Sequence, residues 1–382
     1  MAATITLNKR VLLGMSGGVD SSVSAYLLKE QGYEVIGVTM KVWPQDCVSR
    51  AEDKCCGPQA VADARAVAHA LDIPHYVVDE ANDFEKMVID YFTQEYQQGR
   101  TPNPCVMCNE KLKFGNLQNK ATALGAWYIA TGHYARIEHN ESGPVLKKAV
   151  DARKDQSYFL FSLQPAQLNR SLVPLGGLTK PETRAIAKKM GLKTYDKEDS
   201  QEICFVPGND YKDFLKSHLG AKEFHRGGIY YKDGTYMGPH DGVEFFTVGQ
   251  RKGLGGGHGR PIFVIDIDPA TSSVIVGEHD DLIRPDCFIN QTNWVGGEPT
   301  EPIEITTKIR YNFPEVRARL HPLPNRRARI EFLEAQRSIS PGQAAVCYVG
   351  DTVIGGGWIE RSDLGISIPA ATSAPAKTEA SV

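Results

Sequence analysis

The stretch Gly14-Met15-Ser16-Gly17-Gly18-Val19-Asp20-Ser21-Ser22 places two adjacent glycines, three hydroxyls and one carboxylate between an apolar run and an amphipathic one. Adjacent glycines let the backbone come close to a ligand. Serines add donors, and a helix N-terminus adds free N–H groups and a field that favours an anion. The chemistry on offer is a phosphate cradle. A Walker loop would carry Gly-Lys-Ser/Thr, with the lysine on the β- and γ-phosphates, and no such lysine is present. Asp20 stands instead where a Mg2+ ion between pyrophosphate oxygens could be held. The set suits pyrophosphate as a leaving group, as in adenylation, better than γ-phosphoryl transfer. The glycines from Gly253 to Gly259 lie among short strands and precede no long helix, which argues against a dinucleotide fingerprint.

Thiols are the second source of chemistry. Cys105 and Cys108 form a C-x-x-C at the start of a helical pattern, where the helix end and Lys111 and Lys113 favour the thiolate. Cys204 stands alone far downstream. Three readings stay open. Tetrahedral zinc needs a fourth ligand, and no second C-x-x-C supplies it. A redox or sulfur-carrying pair needs two of these cysteines to meet in space. A [4Fe–4S] cluster with one open iron would use Cys105, Cys108 and Cys204 together. Cys47, Cys55 and Cys56 are irregularly spaced and read as incidental loop thiols, and Cys287 and Cys347 read as core.

The elements that position these groups alternate. Arg10–Gly14, Tyr33–Met40, His75–Asp79 and Ala126–Thr131 read as strands, separated by helical patterns over 19–27 and 61–71 and near 82–98 and 110–124. That alternation predicts an α/β fold, a Rossmann-like parallel sheet with helices on both faces, and a ligand site at the carboxyl ends of its strands. A helical insertion follows near 165–195, opened by the capping-box string Thr179-Lys-Pro-Glu182. The expected organisation is 1–215 for this unit, 216–285 for a small β-rich unit, 286–365 for a C-terminal β-barrel and 366–382 for a disordered tail.

Hydrophobic residues at 41%, charged residues at 23% and a net charge of -3 describe a folded chain that is no generic polyanion binder. No apolar run is long enough for a membrane span, and the N-terminus lacks a secretory h-region, so the cytoplasm is the expected location. One local exception stands out. Arg310, Arg317, Arg319, Arg326, Arg327 and Arg329 are opposed within that stretch only by Glu315, an excess of five positive charges. The expectation is a nucleic-acid track on alternating strands, weakened by alanine at Arg317 and Arg327.

The Gly14–Ser21 string resembles the loop of the N-type ATP pyrophosphatases (PP-loop superfamily). Taken with Thr101-Pro-Asn-Pro-Cys-Val-Met-Cys-Asn109, Lys113-Phe-Gly115, Thr131-Gly-His-Tyr134, Lys154-Asp-Gln-Ser-Tyr-Phe159, Asp199-Ser200, Ile203-Cys-Phe205, Thr247–Gly255, Lys308-Ile-Arg-Tyr311 and Pro341-Gly-Gln343, the chain resembles the tRNA-specific 2-thiouridylase (MnmA) family from about residue 9 to 362. The resemblance implies a tRNA-uridine 2-sulfurtransferase. ATP with Mg2+ adenylates the C2 oxygen of the wobble uridine (U34), and a cysteine persulfide brings the sulfur. It implies Cys204 as the persulfide carrier and Cys108 as its disulfide partner. Gly14, Met15, Ser16, Gly17, Gly18, Val19, Asp20, Ser21, Met40 and Gly132 match ATP-contacting positions. Asn103, Pro104 and Cys105 match the segment around the target base. His133, Lys154, Asp155, Gln156, Arg310, Tyr311 and Gln343 match tRNA contacts. The implied partners are tRNA and a persulfide donor, a cysteine desulfurase or a sulfur-relay protein. Many members carry Asp where this chain has Cys105, which replaces neither the charge nor the geometry of that acid. Either the role is dispensable or Cys105 belongs to a ligand set, which keeps the cluster alternative open. Another adenylating ligase acting on a small molecule, or a non-catalytic tRNA- or metal-binding protein, would leave the paired cysteines or the intact loop without a task.

Overall fold

The structure, a computed structural model, describes residues 9–42, 57–192, 195–196, 203–206, 208, 210–220, 223–254, 259–362 and 364. Cys47, Cys55, Cys56, Asp199, Ser200, residues 255–258 and the tail 366–382 lie outside the described residues.

The first unit is a five-stranded parallel sheet in the order His75–Asp79, Glu34–Lys41, Arg10–Gly14, Tyr128–Ala130, Ser171–Leu172. Val11, Leu12 and Leu13 are buried on both faces, which is why this strand is a continuous apolar run with no alternation. The chain winds outward on one side of Arg10–Gly14 and returns on the other, so the switch point of the topology lies at the carboxyl end of that strand. Helices Val19–Glu30 and Pro58–Ala70 follow the first two strands. Two longer helical runs, 81–97 and 104–123, each widen into a π-helical stretch, at Glu85–Ile89 and at Cys108–Asn116. Such widenings collect at functional sites. The Thr179 capping box forms as its string predicts, with the Thr179 N–H and hydroxyl donating to Glu182 at 2.7 and 2.8 Å, and opens helix Lys180–Lys189.

A helix, Tyr211–His218, capped by the Asp210 carboxylate, leads into a four-stranded sheet ordered Phe263–Asp268, Ser273–Gly277, Gly227–Tyr231, Tyr236–His240. The last unit is a closed six-stranded barrel. Ile283–Trp294, Arg327–Arg337, Val316–Leu323, Ile303–Lys308, Ala344–Val349 and Thr352–Ile359 pair in turn, and the last pairs back on the first. A hairpin of the first unit, Arg136–Asn140 with Gly143–Lys147, extends this sheet at Thr352. Further ties join the two. Asn293 donates to the carbonyls of Phe161 and Leu163, and Lys148 Nζ reaches Glu315 at 2.6 Å. Among the described residues no helix is long and apolar enough to cross a membrane.

Candidate nucleotide and thiol site

Three stretches meet at the switch point: Gly14–Ser21 after the central strand, Met40 near the end of one neighbour, and Gly132 just past the end of the other. The loop shapes itself with its own serines. Ser21 Oγ accepts the Ser16 N–H at 3.2 Å and donates to Gly18 O at 3.2 Å, while Ser22 Oγ donates to the same carbonyl at 2.8 Å. Gly17 has φ +68°, and a side chain there would strike the Ala60 backbone. At Gly132 a Cβ would lie 2.9 Å from the Ser21 nitrogen, so only glycine lets this strand end rest against the helix start. Gly18 caps the helix without any side-chain hydrogen bond. The first turn therefore presents uncapped N–H groups, as an anion site requires.

Asp20 is engaged in a way its sequence neighbourhood does not show. Lys180 Nζ, buried at the start of its helix, donates to both carboxylate oxygens at 2.7 and 2.8 Å, and Tyr134 Oη donates to one of them at 2.9 Å. Asp151 fixes the base of that lysine by accepting its backbone N–H at 3.0 Å. This bond, with a second from the Arg153 N–H, holds the Asp151 carboxyl below its ordinary pKa. Lys180 and Tyr134 are functional candidates that motif reasoning missed as contacts of Asp20. The capping box located the helix start, but nothing local pointed it at the loop.

Asn103 caps the helix that carries the C-x-x-C by accepting the Val106 N–H at 3.4 Å. Cys108 and Cys204 both pack, half-buried, against one apolar cluster that also receives Met40. Beside Cys204, Phe205 is buried edge-on to Phe84, Phe92 and Phe214, with centroids 5.6, 5.1 and 5.2 Å away. Cys105 is a neighbour of Tyr311, whose hydroxyl is held above its ordinary pKa by burial first, then by Asp155 and Cys105. Among the described residues, the one group of three metal-ligating side chains with donor atoms within 4.8 Å of each other is Glu85, Asp90 and His218. The three cysteines are therefore not gathered at zinc dimensions. Cys287 and Cys347 are buried in the barrel, and burial pushes both thiols above their ordinary pKa, Cys347 to about 12.

Family comparisons agree with this geometry. The model for the tRNA methyl transferase HUP domain matches residues 9–208, that for the tRNA methyl transferase PRC-barrel domain 212–278, and that for the aminomethyltransferase beta-barrel domain 284–359. The tRNA-specific 2-thiouridylase MnmA 1 of Caldanaerobacter subterraneus is 49% identical over 360 residues, covering 93% of this chain and 99% of that protein. The chain belongs to the MnmA family. The MnmA proteins of Clostridioides difficile and Geotalea uraniireducens are 46% and 49% identical, again over 93% of this chain and over 99% and 96% of theirs.

In this MnmA-family chain several residues matched to tRNA contacts are held by partners within the chain. His133 is buried with Nδ1 2.7 Å from Thr131 Oγ1. Burial first, then Lys113, holds its pKa well below the ordinary value, so the ring is neutral. Asp155 is buried, and its carboxylate accepts the N–H of Ala149 and of Ser157 and the Ser157 hydroxyl. Gln156 accepts the Tyr134 N–H at 2.9 Å, and Gln343 donates to the carbonyls of Thr101 and Pro102. Asn103 and Pro104 are buried, Lys154 is half-buried.

The Arg310 guanidinium is partly buried, its Nε has no hydrogen-bond partner, and burial lowers its pKa, with Arg337 adding to the effect.

Part of the arginine track is paired within the barrel. Arg327 pairs with Glu360 through two hydrogen bonds and Arg329 with Asp286 at 2.7 Å, while Arg319 sits between Glu304 and Glu331 in register. Arg326 donates to the Thr292 carbonyl. The local excess is largely answered by acids on strands distant in sequence.

Proposed function

We propose that this chain catalyses the ATP-dependent 2-thiolation of the wobble uridine of tRNA. The observation that carries the reading is that Cys108 and Cys204, far apart in sequence, pack on one cluster with Met40 at the edge of the nucleotide crevice. The uridine C2 oxygen attacks the α-phosphorus of ATP and pyrophosphate leaves. The uncapped N–H groups of Gly14–Ser21 and the Lys180 ammonium receive the negative charge that accumulates there. Asp20 would hold Mg2+ through the carboxylate lone pairs left beyond those taken by Lys180 and Tyr134. The ion, when bound, supplies further neutralisation of the leaving group.

The terminal sulfur of a Cys204 persulfide then attacks C2, and AMP leaves with the former C2 oxygen. The Cys108 thiolate attacks the Cys204 sulfur, the S–S bond to the base breaks, and its electron pair stays on the sulfur now attached to C2. A Cys108–Cys204 disulfide results. An external thiol reduces it, and a persulfide donor reloads Cys204. The base leaves the anticodon stack to reach this crevice, as base-modifying enzymes require. Arg310 and Tyr311 stand beside the segment that carries Cys105 and are the proposed RNA contacts.

The division of the thiols, with Cys105 beside Tyr311 and the other two on the shared cluster, favours the two-thiol route over a three-cysteine [4Fe–4S] cluster. The test is an anaerobic preparation assayed for iron and for thiolation together. Thiouridine formation without iron, lost in Cys108→Ser and Cys204→Ser but kept in Cys105→Ser, is the expected result. Activity that tracks iron and vanishes with any of the three would sink it, and AMP formation independent of tRNA would point to the small-molecule ligase.

A further inference from the structure

Thr101-Pro102-Asn103-Pro104 feeds the helix that carries Cys105 and Cys108. Two of its four residues are prolines, which fix φ and bring no N–H. The segment therefore cannot hold itself by local backbone bonds, and the carbonyls of Thr101 and Pro102 need donors from elsewhere. They find them at the far end of the chain. Gln343 Nε2 donates to Thr101 O at 3.1 Å and to Pro102 O at 2.9 Å, and the Thr101 N–H donates to Pro341 O at 2.7 Å. Gly342, at φ +84°, is pressed against the segment, since a Cβ there would lie 2.8 Å from Arg100 Cβ and 3.0 Å from Thr101 O.

The turn is itself held. The Gly342 N–H donates to Ile359 O at 3.0 Å, and the Ile359 N–H donates to Gln343 O at 2.8 Å. One residue on, Ala344 O accepts the Tyr158 hydroxyl at 2.9 Å, and Tyr158 is a neighbour of Asn103. On the other side, Arg100 is paired with Glu95 through two hydrogen bonds.

We propose that Gln343 is a positioning residue, clamping the Thr101–Pro102 backbone to the barrel and so setting the reach of the Cys108 thiol toward Cys204. The proposal rests on the two-thiol reading above. A primary amide has two N–H donors, and here two backbone carbonyls take them. Donation from that amide to RNA would first have to open the clamp. The barrel that carries Arg310 and Tyr311 is thereby fastened to the thiol segment, so how the barrel is seated and where Cys108 stands are one variable.

The test uses the full-length enzyme with Gln343→Met, which keeps the length and removes the donors, and Gln343→Asn, which keeps the donors but is one methylene short. Iodoacetamide alkylation of each cysteine is followed by peptide mass spectrometry from pH 6 to 10 without tRNA, beside kcat and KM for tRNA in thiolation. The expected result in Gln343→Met is a change of about threefold or more in the Cys108 alkylation rate or its pH profile. Cys204 alkylation stays unchanged, kcat falls about 10- to 100-fold, and KM for tRNA stays within about twofold. A raised KM with Cys108 alkylation unchanged makes Gln343 an RNA contact and overturns the proposal. So does wild-type behaviour in both assays. Should Gln343→Met fail to fold, as read by its thermal midpoint, Gln343→Asn decides by the same two criteria. Alkylation does not require Cys108 to be catalytic. Retained thiolation in Cys108→Ser would therefore remove the two-thiol reading while leaving the clamp measurement standing.

Discussion

Replacing Phe205 by alanine should separate sulfur transfer from adenylation. The ring is buried and meets Phe84, Phe92 and Phe214 edge-on, so it anchors the short segment Ile203–Val206 to helices on either side of it. Removing a buried phenylalanine costs about 3–5 kcal/mol. Three edge-to-face contacts place this one toward the upper part of that range. If the loss is taken locally, as undocking of the segment, 3 kcal/mol is a little over 100-fold in the docking equilibrium. Cys204 is the adjacent residue and follows the ring out. The assay is single-turnover on tRNA with persulfide-loaded enzyme, reading thiouridine and the Cys108–Cys204 disulfide together, with tRNA-dependent AMP formation measured separately. Thiolation should fall about 10- to 100-fold while AMP formation stays within about twofold, and Phe205→Leu should recover part of the loss by refilling the volume. Wild-type thiolation in Phe205→Ala would refute the anchoring argument. So would a parallel loss of AMP formation, because the damage would then be global.

Three further outcomes follow from other contacts. Lys180→Met leaves Asp20 without its buried cation. Because the Asp20 side chain is 32% exposed, the usual penalty for breaking an ion pair is discounted to about 1–2 kcal/mol, and tRNA-dependent AMP formation should drop about 5- to 30-fold with tRNA affinity unchanged. Arg310→Ala should weaken tRNA binding and flatten its salt dependence, whereas Arg327→Ala with Arg329→Ala should leave affinity within about twofold, since those guanidinium groups are answered by Glu360 and Asp286. His133 is neutral when buried but takes up a proton in the unfolded chain below about pH 6.5. Folding therefore loses about 1.4 kcal/mol per pH unit on this account as pH falls from there toward the depressed native value. Thermal midpoints from pH 7.5 to 5 should show a slope shallower by about one proton in His133→Asn, with His75 and His240, also lowered by burial, keeping part of the wild-type slope.

Local pattern carried the nucleotide crevice and not its counter-ion. Arg10–Ser22 announces itself because strand, turn and helix start are contiguous and each residue type has one conformational reason to be there. The Thr179–Glu182 capping box is legible for the same cause. Lys180 on Asp20 joins residues 160 apart and has no spacing to betray it. The charge balance of the barrel arginines is likewise non-local. Counting charges along Arg310–Arg329 sees Glu315 alone, whereas antiparallel pairing brings Glu304, Asp286, Glu331 and Glu360 across from other strands. The hairpin Arg136–Lys147 extends a sheet whose other members begin at Ile283, a partnership no local periodicity can express.

The same non-local character explains why an adenylating loop comes with two further units. The crevice at the switch point has its loop, its uncapped helix start and its Lys180 within the first sheet and the helices on it. The proposed sulfur transfer needs two thiols at a set separation, and each is held in part by residues of the later units. Cys204 is placed by Phe205, whose cage includes Phe214 on the helix that opens the middle unit. Cys108 follows a proline-rich segment whose carbonyls are held by Gln343 in the barrel. A chain ending near residue 208 would keep the loop and every cysteine of the reaction while losing Phe214 and Gln343, the contacts that tie each thiol to the later units. On the proposed route the two β units act on the chemistry by fixing where those sulfurs stand, through Phe214 and Gln343.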